Sequence, residues 1–380
     1  MNTTKLLRAV RNEKTTPTLF EVEPSWKDHW WAMPEFTMGD ARPRYKIILN
    51  FMSAEDVATF AKTTGLPVTI KSDSAWFPHQ DPLRGQFYWD GPPMGSRYPV
   101  CIPSKGRADC QKTGKALDRM GVSYKFFVEE TEYDKYCEHI GVEKVVSMPF
   151  HDLGQGSIPA RNFIWEWAKE RGHQRHWTVD DNIASFYRCT NNRRLRVLGG
   201  GFFRAMEDWV DRYENIAMAG PHDIAFVGDR DPSLTPFLLN SRVYSCILLD
   251  TQLPDRWRGR YNEDTDLSLR LLKQGYCTAL FRALCMDKPG TSGSKSTAMK
   301  GGNTDNVYNT DDKRLAFAKS LQEQHPDCVE VVWKFNRWHH QVNYSSFKKN
   351  QLRFKGSITP DPSVDDYGMI LVGESQESTP

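Results

Sequence analysis

Between residues 98 and 181, short apolar runs alternate with amphipathic segments, and this alternation restricts the fold more than any other feature. In order, the segments are the strand YPVCIPS, a helix over about 110–120, the strand YKFFVEE, a helix near YDKYCEHIG, the strand KVVSMPF, the helix IPARNFIWEWAKERG and the strand HWTV. Such alternation predicts parallel strands with helices on both faces of the sheet. We therefore expect an α/β fold in which ligands bind beyond the carboxyl ends of the strands.

Two adjacent carboxylates, Asp180 and Asp181, directly follow the last of these strands. Like charges so close together repel, and burying either one is costly unless a positive partner compensates. Hard oxygen ligands at a strand end suit Mg²⁺ or Mn²⁺, which also bind substrate phosphates. The alternative is a helix N-cap or a turn that happens to hold adjacent aspartates.

A glycine-containing stretch, GQGSIPARN (154–162), precedes the acidic pair. Its glycines come before a helix start, where backbone amides can face an anion. Arg161 and Asn162 follow in the first turn, and one helix plus a short strand returns the chain to the same sheet edge. We therefore expect a phosphate site close to the metal site. A surface ion pair is the alternative for Arg161.

A second acidic cluster lies in RGRYNEDTDLSLRLLKQGY (258–276). The leucine spacing predicts a helix whose first turn holds Glu263, Asp264 and Asp266. The helix dipole stabilises acidic residues there, which is a sufficient structural explanation. A catalytic base also needs a carboxylate fixed at the end of a rigid element, and the nearby arginines, Arg258 and Arg260, favour this function.

The segment DKPGTSGSKSTAMKGGNTD (287–305) is rich in Gly, Ser and Thr and contains Lys288, Lys295 and Lys300. A loop of this composition can close over a diphosphate and supply positive charge. An ordinary loop has the same composition, so both interpretations stay open.

The remaining regions suggest the domain organisation. We expect residues 1–96 to hold a polar segment and a small N-terminal α+β module, built from the strand YKIILNF, the helix SAEDVATFAKTTG and the strand PVTIK. Proline and glycine between residues 77 and 96 indicate a linker or an extended surface segment. The main domain then spans 97–355, and 356–380 is a polar, acidic tail that we expect to be disordered.

Composition excludes a few classes. The 50 Lys and Arg residues nearly balance the 48 Asp and Glu residues, so no global charge commits the chain to nucleic acid. The eight cysteines form no C-x-x-C pair, which favours a reducing compartment over a disulfide framework. No apolar run is long enough to span a membrane, and the N-terminus lacks the apolar core of a signal peptide. We expect a cytoplasmic protein without a membrane partner.

The positive charge is local. Residues 331–355 carry six Lys and Arg, interleaved with six aromatics, and contain no Asp or Glu. Basic groups can neutralise phosphates and aromatic faces can stack on an unstacked base, so this stretch is a candidate DNA surface. Aromatic core residues beside a solvated basic surface are the alternative. A second basic cluster contains Arg188, Arg193, Arg194 and Arg196.

Several motifs in one order over about 98–345 resemble nucleotide-sugar glycosyltransferases of the GT-A fold, and more closely the TET-associated glycosyltransferases of phage DNA-modification clusters. The motifs are IPSKGRA, LGQGSIPARN, DDNI, FYR, RWRGRYNEDTDLSLR, KGGNT and RWHHQVNY. The resemblance implies a Rossmann-like mixed sheet with helices on both faces. It also implies sugar transfer from a UDP-linked donor to a hydroxymethylated pyrimidine of the 5-hydroxymethylcytosine type in DNA. A phage protein of this kind would act in the cytoplasm of the infected bacterium.

The resemblance further implies roles for single residues. Asp181, together with Asp180, would hold Mn²⁺ or Mg²⁺, with Asp180 also facing the ribose; the motif departs from the family's Asp-x-Asp by reading Asp-Asp-Asn. Asp264 would be the catalytic base, with Glu263 as second choice. The donor-binding residues would be Pro103, Ser104, Lys105, Arg107, Gln155, Arg161, Asn162, Asp180 and Lys300. The acceptor-binding or DNA-binding residues would be Arg188, Arg258, Arg260, Arg337, Trp338, His339 and His340.

Two other functions remain open at this point. The same domain type occurs in a eukaryotic nuclear coregulator for which protein glycosylation has been proposed, so a protein or small-molecule acceptor is one alternative. A non-catalytic module that binds a nucleotide-sugar or DNA is the other. The acidic pair and the Glu263–Asp264 cluster argue against it, because binding alone needs no base.

Overall fold

The computed structural model describes residues 26–77, 87–259, 261–288, 311–356 and 366–373. Helix α1 (Ala54–Thr64) and strand β1 (Phe87–Asp90) come first. The alternating region follows as β2 (Val100–Pro103), α2 (Lys112–Arg119), β3 (Lys125–Glu129), α3 (Tyr133–Ile140), β4 (Val145–Met148), α4 (Ile158–Glu170) and β5 (Arg175–Val179). The remaining elements are β6 (Ser185–Thr190), β7 (Arg193–Arg196), α5 (Gly201–Val210), β8 (Ile216–Asp223), β9 (Phe237–Leu239), β10 (Cys246–Asp250), α6 (Glu263–Lys273), β11 (Cys277–Asp287), α7 (Asp311–Gln324), β12 (Val329–Lys334), β13 (Arg337–Val342) and β14 (Ile370–Gly373).

One large sheet joins the strands of the main domain. Their order is β4-β3-β2-β5-β10-β8-β11-β6-β7, and β9 also pairs with β11. The first four strands in sequence, β2 to β5, are parallel, whereas β10 runs antiparallel to both β5 and β8. The α/β class expected from the sequence is confirmed, and the sheet is mixed.

Side chains that alternate along each strand pack into separate cores on the two faces of the sheet. On β2 and β3, Ile102 and Phe126 lie in the largest cluster with residues of α2 and α5, whereas Cys101 and Phe127 pack with Ile164 of α4. Helices therefore cover both faces, as the sequence predicts. No helix in the described part of the chain is long and apolar enough to cross a membrane.

The N-terminal region differs from the predicted module. Helix α1 forms as expected, with Ser53 Oγ accepting from the Asp56 amide at 3.1 Å and Gly65 ending the helix at φ 69°. The strands predicted over 45–51 and 67–71 are wrong, because the structure has neither, and Tyr45 is 92% exposed. An extended segment that pairs with no other strand and buries no apolar face lacks what stabilises a strand.

The predicted domain boundary at residue 96 does not match the packing. Trp30, Met33 and Phe36 are buried in the same cluster as the main sheet. Arg212 lies over the ring of Trp31 at 3.9 Å and donates to its carbonyl oxygen. The segment just after residue 25 is thus part of the main core.

The predicted linker and tail also form structure where they are described. Strand β1 lies within the expected linker and pairs antiparallel with β14 from the expected tail. Tyr367 and Met369 are 3% exposed and belong to the main core, so the prediction of disorder is wrong for residues 366–373. The expectations for residues 1–25, 78–86, 357–365 and 374–380 lie outside the described residues.

Candidate active site

Asp181 follows β5 and faces the loop after β2. Its Oδ2 accepts from Ser104 Oγ at 2.6 Å, and its Oδ1 pairs with Arg107 Nη1 at 2.5 Å. Asp181 is 7% exposed; burial raises the pKa of its carboxyl group, and Arg107 and Ser104 offset part of that rise. Two predicted donor-binding residues, Ser104 and Arg107, therefore meet the predicted metal ligand Asp181 in one buried cluster.

Asp180 lies on the other side of the same strand end, where two cations hold it. Its Oδ1 is 2.9 Å from Arg161 Nη2 and its Oδ2 is 2.6 Å from Lys288 Nζ. Burial acts to raise the pKa of Asp180, but the charges of Lys288 and Arg161 outweigh burial and the pKa is lowered. Asp180 is consequently ionised at neutral pH and forms ion pairs with two positively charged side chains.

Arg161 connects Asp180 to α4 and to the loop before α6. Its Nε donates to Ser157 Oγ at 3.3 Å, and its guanidinium lies 5.0 Å from the ring centre of Trp257. Arg161 is only 5% exposed, and its buried Nη1 donates to no atom of the described residues. An unsatisfied buried donor is costly in free energy, and an anion at this position would satisfy it.

Glu263 and Asp264 open α6, as the leucine spacing predicts. Glu263 Oε1 accepts from Ser157 Oγ at 3.0 Å and lies 3.8 Å from Arg161 Nε. Burial raises the pKa of Glu263, which Arg161 opposes and the neighbouring Asp264 reinforces. The N-terminus of α6 thus meets the N-terminus of α4 next to Asp180.

The Asp264 carboxylate is directed differently from that of Glu263. Its Oδ1 accepts two hydrogen bonds from the next residue, one from Thr265 N at 2.7 Å and one from Thr265 Oγ1 at 3.3 Å. Burial and the charge of Arg242 lower the pKa of His340 to about 4, and the Asp264 charge opposes this change. Burial raises the pKa of Tyr344 to about 12, and Asp264 adds to the rise. The charge of Asp264 therefore acts on the pKa values of His340 and Tyr344, which lie on and just after β13.

A buried ion-pair network fixes α6 behind the site. Asp266 pairs with Arg258 at 3.0 Å, with Arg270 at 2.9 Å and with His325 Nε2 at 2.9 Å. Burial alone would raise the pKa of Asp266, but the hydrogen bond from His325 and the two arginines lower it to about 2. Arg258 was predicted to contact the acceptor; it is half exposed and bound to α6.

The other predicted donor residues occupy varied positions. Pro103 ends β2, and Gln155 is exposed before α4. Lys105 is 47% exposed and bridges Glu129 and Asp152, each at 2.6 Å. The Asn162 amide exchanges two hydrogen bonds with the Trp257 backbone, at 2.9 and 3.0 Å, and so fixes the loop under Arg161. Lys300 and Arg260 lie outside the described residues.

The predicted acceptor residues of β13 lie on a hairpin with β12. Trp333 and Trp338 are cross-strand partners with ring centres 5.1 Å apart. Arg337 Nε donates to His339 Nε2 at 3.0 Å on the opposite face, and His340 lies on the same face as Trp333 and Trp338. Val329 and Val342, at the base of the hairpin, pack with Leu269 and Leu272 of α6.

Arg188 was predicted to contact DNA, and the structure contradicts this. It is 1% exposed, lies 3.9 Å from the ring centre of Trp89 and pairs with Asp366 at 2.5 Å. A guanidinium enclosed in this way cannot reach a phosphate. Arg188 instead ties β6 to β1 and the C-terminal segment.

The donor set does not fit the divalent metal that the sequence predicts. Every carboxylate oxygen of Asp180 and Asp181 already accepts from a side chain, and three of the four donors are cations: Arg107, Arg161 and Lys288. The described parts of the chain contain no group of three His, Cys, Asp or Glu side chains that could hold a metal ion. Lys288 and Arg161 supply the positive charge that a metal would bring to Asp180.

Sequence reasoning missed two residues that shape the site, Ser157 and Trp257, and it named Lys288 only as one of three lysines in the 287–305 segment. Lys288 directly follows β11 and donates to Ser245 Oγ at 2.9 Å as well as to Asp180. The rule that ligands gather at strand ends could have identified Lys288, since a long apolar run precedes it. No sequence signal indicated that Ser157 and Trp257 bracket Arg161.

Comparison with known proteins gives a matching family model and 19 similar chains among solved structures. The model of the TET-associated glycosyltransferase family matches residues 98–298. No curated protein matches the sequence significantly. Among solved structures, the crystal structure of GalNAc-T7 with UDP, GalNAc and Mn²⁺ is similar, with 10% identity and a TM-score of 0.32. That alignment covers 77% of this chain and 66% of the GalNAc-T7 chain.

Proposed function

Because this chain belongs to the TET-associated glycosyltransferase family, we propose that it transfers a sugar from a UDP-linked donor to a hydroxymethylated pyrimidine in DNA, of the 5-hydroxymethylcytosine type. The observation that carries the proposal is the convergence of Asp180, Arg161, Lys288 and Glu263 at the carboxyl edge of the sheet. Two cations, Arg161 and Lys288, suit a diphosphate, and Arg161 has a buried Nη1 donor that no described residue satisfies. Glu263 supplies a second carboxylate beside them.

Two neighbouring clusters would divide the donor between them. We assign the nucleoside to the loop after β2, where Ser104, Arg107 and Asp181 form a buried polar group. We assign the diphosphate to Arg161 and Lys288, whose charges offset that of the leaving nucleotide as the sugar–oxygen bond breaks. This reverses the sequence-based assignment, since Asp180 rather than Asp181 lies on the phosphate side.

On this assignment, transfer needs no divalent ion. The cations that pair with Asp180 are fixed by Ser157, Ser245 and Trp257, so they are preorganised for a dianionic leaving group. The proposal thereby departs from the Mn²⁺ or Mg²⁺ dependence expected from the sequence, and chelation tests it directly.

Asp264 is the proposed general base. The acceptor hydroxymethyl oxygen attacks the sugar carbon, the bond from that carbon to the phosphate oxygen breaks, and the hydroxyl proton passes to the carboxylate. Asp264 Oδ1 is held by Thr265, and no described side chain donates to Oδ2. Glu263 is bound to Ser157 beside Arg161 and would position the phosphate-binding guanidinium.

The DNA acceptor rests on the family and on local charge. Residues 331–355 contain six Lys and Arg and no Asp or Glu, and they include all of the β12–β13 hairpin except Val329 and Glu330. Positive charge of this kind neutralises backbone phosphates.

The decisive experiment follows nucleotide release and base modification together. The purified chain is incubated with UDP-glucose, UDP-GlcNAc or UDP-GalNAc and with matched oligonucleotides that carry cytosine or 5-hydroxymethylcytosine. We expect UDP release and a mass gain of one sugar only on the hydroxymethylated strand, and neither with Asp264→Asn. Release that is equal with both DNAs, or sugar found on added protein, contradicts the DNA acceptor.

A further inference from the structure

The β12–β13 hairpin ends in an unusual turn. Lys334 pairs with Arg337, which leaves Phe335 and Asn336 as a two-residue loop with φ values of 51° and 58°. Such turns favour Asn and Gly, because a bulky side chain is strained at positive φ. Phe335 is also 87% exposed, so the chain bears both a strained backbone and a large apolar side chain in water. Strain that packing does not require is characteristic of functional positions.

One face of the hairpin carries a row of aromatic and apolar side chains that runs from this tip to the packed base of the hairpin. The cross-strand partners Val329 and Val342 pack into the domain, His340 lies next along the face, and Trp333 stacks edge-on with Trp338 near the tip. Trp333 is 51% exposed although it belongs to this otherwise packed face. The six residues from Phe335 to His340 span at most about 17 Å. The hairpin therefore extends from its base, packed on the helix that carries Asp264, to the exposed tip.

The charge on the hairpin is suited to nucleic acid. Lys334 and Arg337 flank the tip, and the segment that continues to residue 355 adds Lys348, Lys349, Arg353 and Lys355 without any acidic residue. A two-stranded ribbon fits the DNA major groove, where the C5 substituent of a pyrimidine projects. A protein partner would need no such charge, so a duplex is the favoured occupant.

We propose that Phe335 is a wedge that enters duplex DNA beside the modified pyrimidine and fills the gap left when that base turns out toward Asp264. The proposal rests on the proposed function for its acceptor. Apolar side chains that insert between base steps are a known way to unstack DNA, and a base cannot react inside the duplex. The Trp333–Trp338 pair would offer the extruded base a stacking surface.

The first test needs no sugar transfer. A duplex carries 5-hydroxymethylcytosine with 2-aminopurine as its 3′ neighbour, and the fluorescence of 2-aminopurine rises when stacking is lost. We expect the full chain to raise it at least about twofold, as unstacking of the target step requires. Phe335→Ala and Phe335→Asn should abolish the rise, while Tyr45→Ala, which removes an aromatic that is 92% exposed elsewhere, should preserve it.

Phe335→Asn also controls for folding, because asparagine suits this turn better than phenylalanine and should not lower the melting temperature. The second test compares transfer rates on duplex and single-stranded acceptors. We expect either Phe335 variant to lower the duplex-to-single-strand rate ratio about 10–100-fold, since a single strand needs no unstacking of a partner.

The outcomes separate the wedge from the proposed function. Absence of transfer to any hydroxymethylated DNA by the wild type overturns the proposed function, while the fluorescence still decides the wedge. If Phe335→Ala shows the fluorescence and the rate ratio of the wild type, the wedge proposal is overturned even when transfer is fast. The hairpin tip would then be a contact site for a protein.

Discussion

Lys288 provides the sharpest test of how the site neutralises its donor. Its ammonium lies 2.6 Å from Asp180 Oδ2 and 2.9 Å from Ser245 Oγ, and the side chain is 23% exposed. Lys288→Met keeps the volume and removes the charge. The loss of one charge-assisted hydrogen bond to the donor diphosphate should cost about 1.5–3 kcal/mol, which weakens UDP binding about 10–150-fold.

The same substitution should change the response to metal. Without Lys288, Asp180 retains one cationic partner among the described residues, Arg161 at 2.9 Å, together with Ser245, and its Oδ2 becomes accessible to another cation. We therefore expect wild-type UDP affinity to be unchanged by EDTA, whereas Mn²⁺ should restore part of the affinity that Lys288→Met loses. A divalent ion and a lysine ammonium would compete for one carboxylate oxygen, so each is effective only without the other.

Isothermal titration of UDP in EDTA and in Mn²⁺ measures both effects. Lys144→Met is the matched control, because Lys144 pairs with Asp118 at 2.7 Å and is 33% exposed but lies away from the site. The reasoning is refuted if the wild type loses UDP binding or transfer in EDTA and regains it with Mn²⁺. It is equally refuted if Lys288→Met binds UDP like Lys144→Met.

Three further outcomes follow from individual contacts. Asp264→Asn should keep UDP affinity and lose about 10²–10⁴-fold in transfer rate, measured by UDP release with hydroxymethylated DNA; normal transfer together with an inactive Glu263→Gln would exchange the two roles. Asp266→Asn should lower the free energy of unfolding by at least about 2 kcal/mol at pH 7, because it removes the carboxylate that joins Arg258, Arg270 and His325. With a folded pKa of about 2 against the ordinary 3.8, the contribution of Asp266 is present above about pH 4 and lost as pH falls through 2, so urea melts should show the difference from wild type shrinking by about 2 kcal/mol. Arg188→Met should lower the melting temperature without changing DNA affinity in a fluorescence anisotropy titration; an unchanged melting temperature with weaker DNA binding would return Arg188 to the DNA surface.

The sequence predicts the elements whose signals are local. The strands and helices from residue 98 to 179 follow from apolar periodicity, and α1 follows from Ser53 and Gly65 at its ends. The acidic start of α6 follows from leucine spacing alone. Each of these depends on residues a few positions apart, where propensity and capping decide the conformation.

Contacts between distant segments could not be predicted in this way. Arg188 pairs with Asp366 across 178 positions, and Lys288 meets Asp180 across 108. The basic cluster around Arg188 predicts a surface residue, because the aromatic and acidic residues that bury it are distant in the sequence. The prediction of a strand over 45–51 was wrong because a β-like sequence pattern does not show whether a neighbouring strand is present to pair with it.

The order of strands in the sheet explains why the adjacent residues Asp180 and Asp181 have different partners. Successive side chains at a strand end point in different directions, so one carboxylate of the pair must face away from the other. Because β5 lies between β2 and β10, Asp181 meets Ser104 on the β2 side, while the backbone of Asp180 bonds to Ser245 on the β10 side. Only the β10 side brings the end of β11, and with it Lys288, to the pair. The sequence motif alone is compatible with either assignment, and it is the strand order that places Lys288, and hence the proposed diphosphate, next to Asp180.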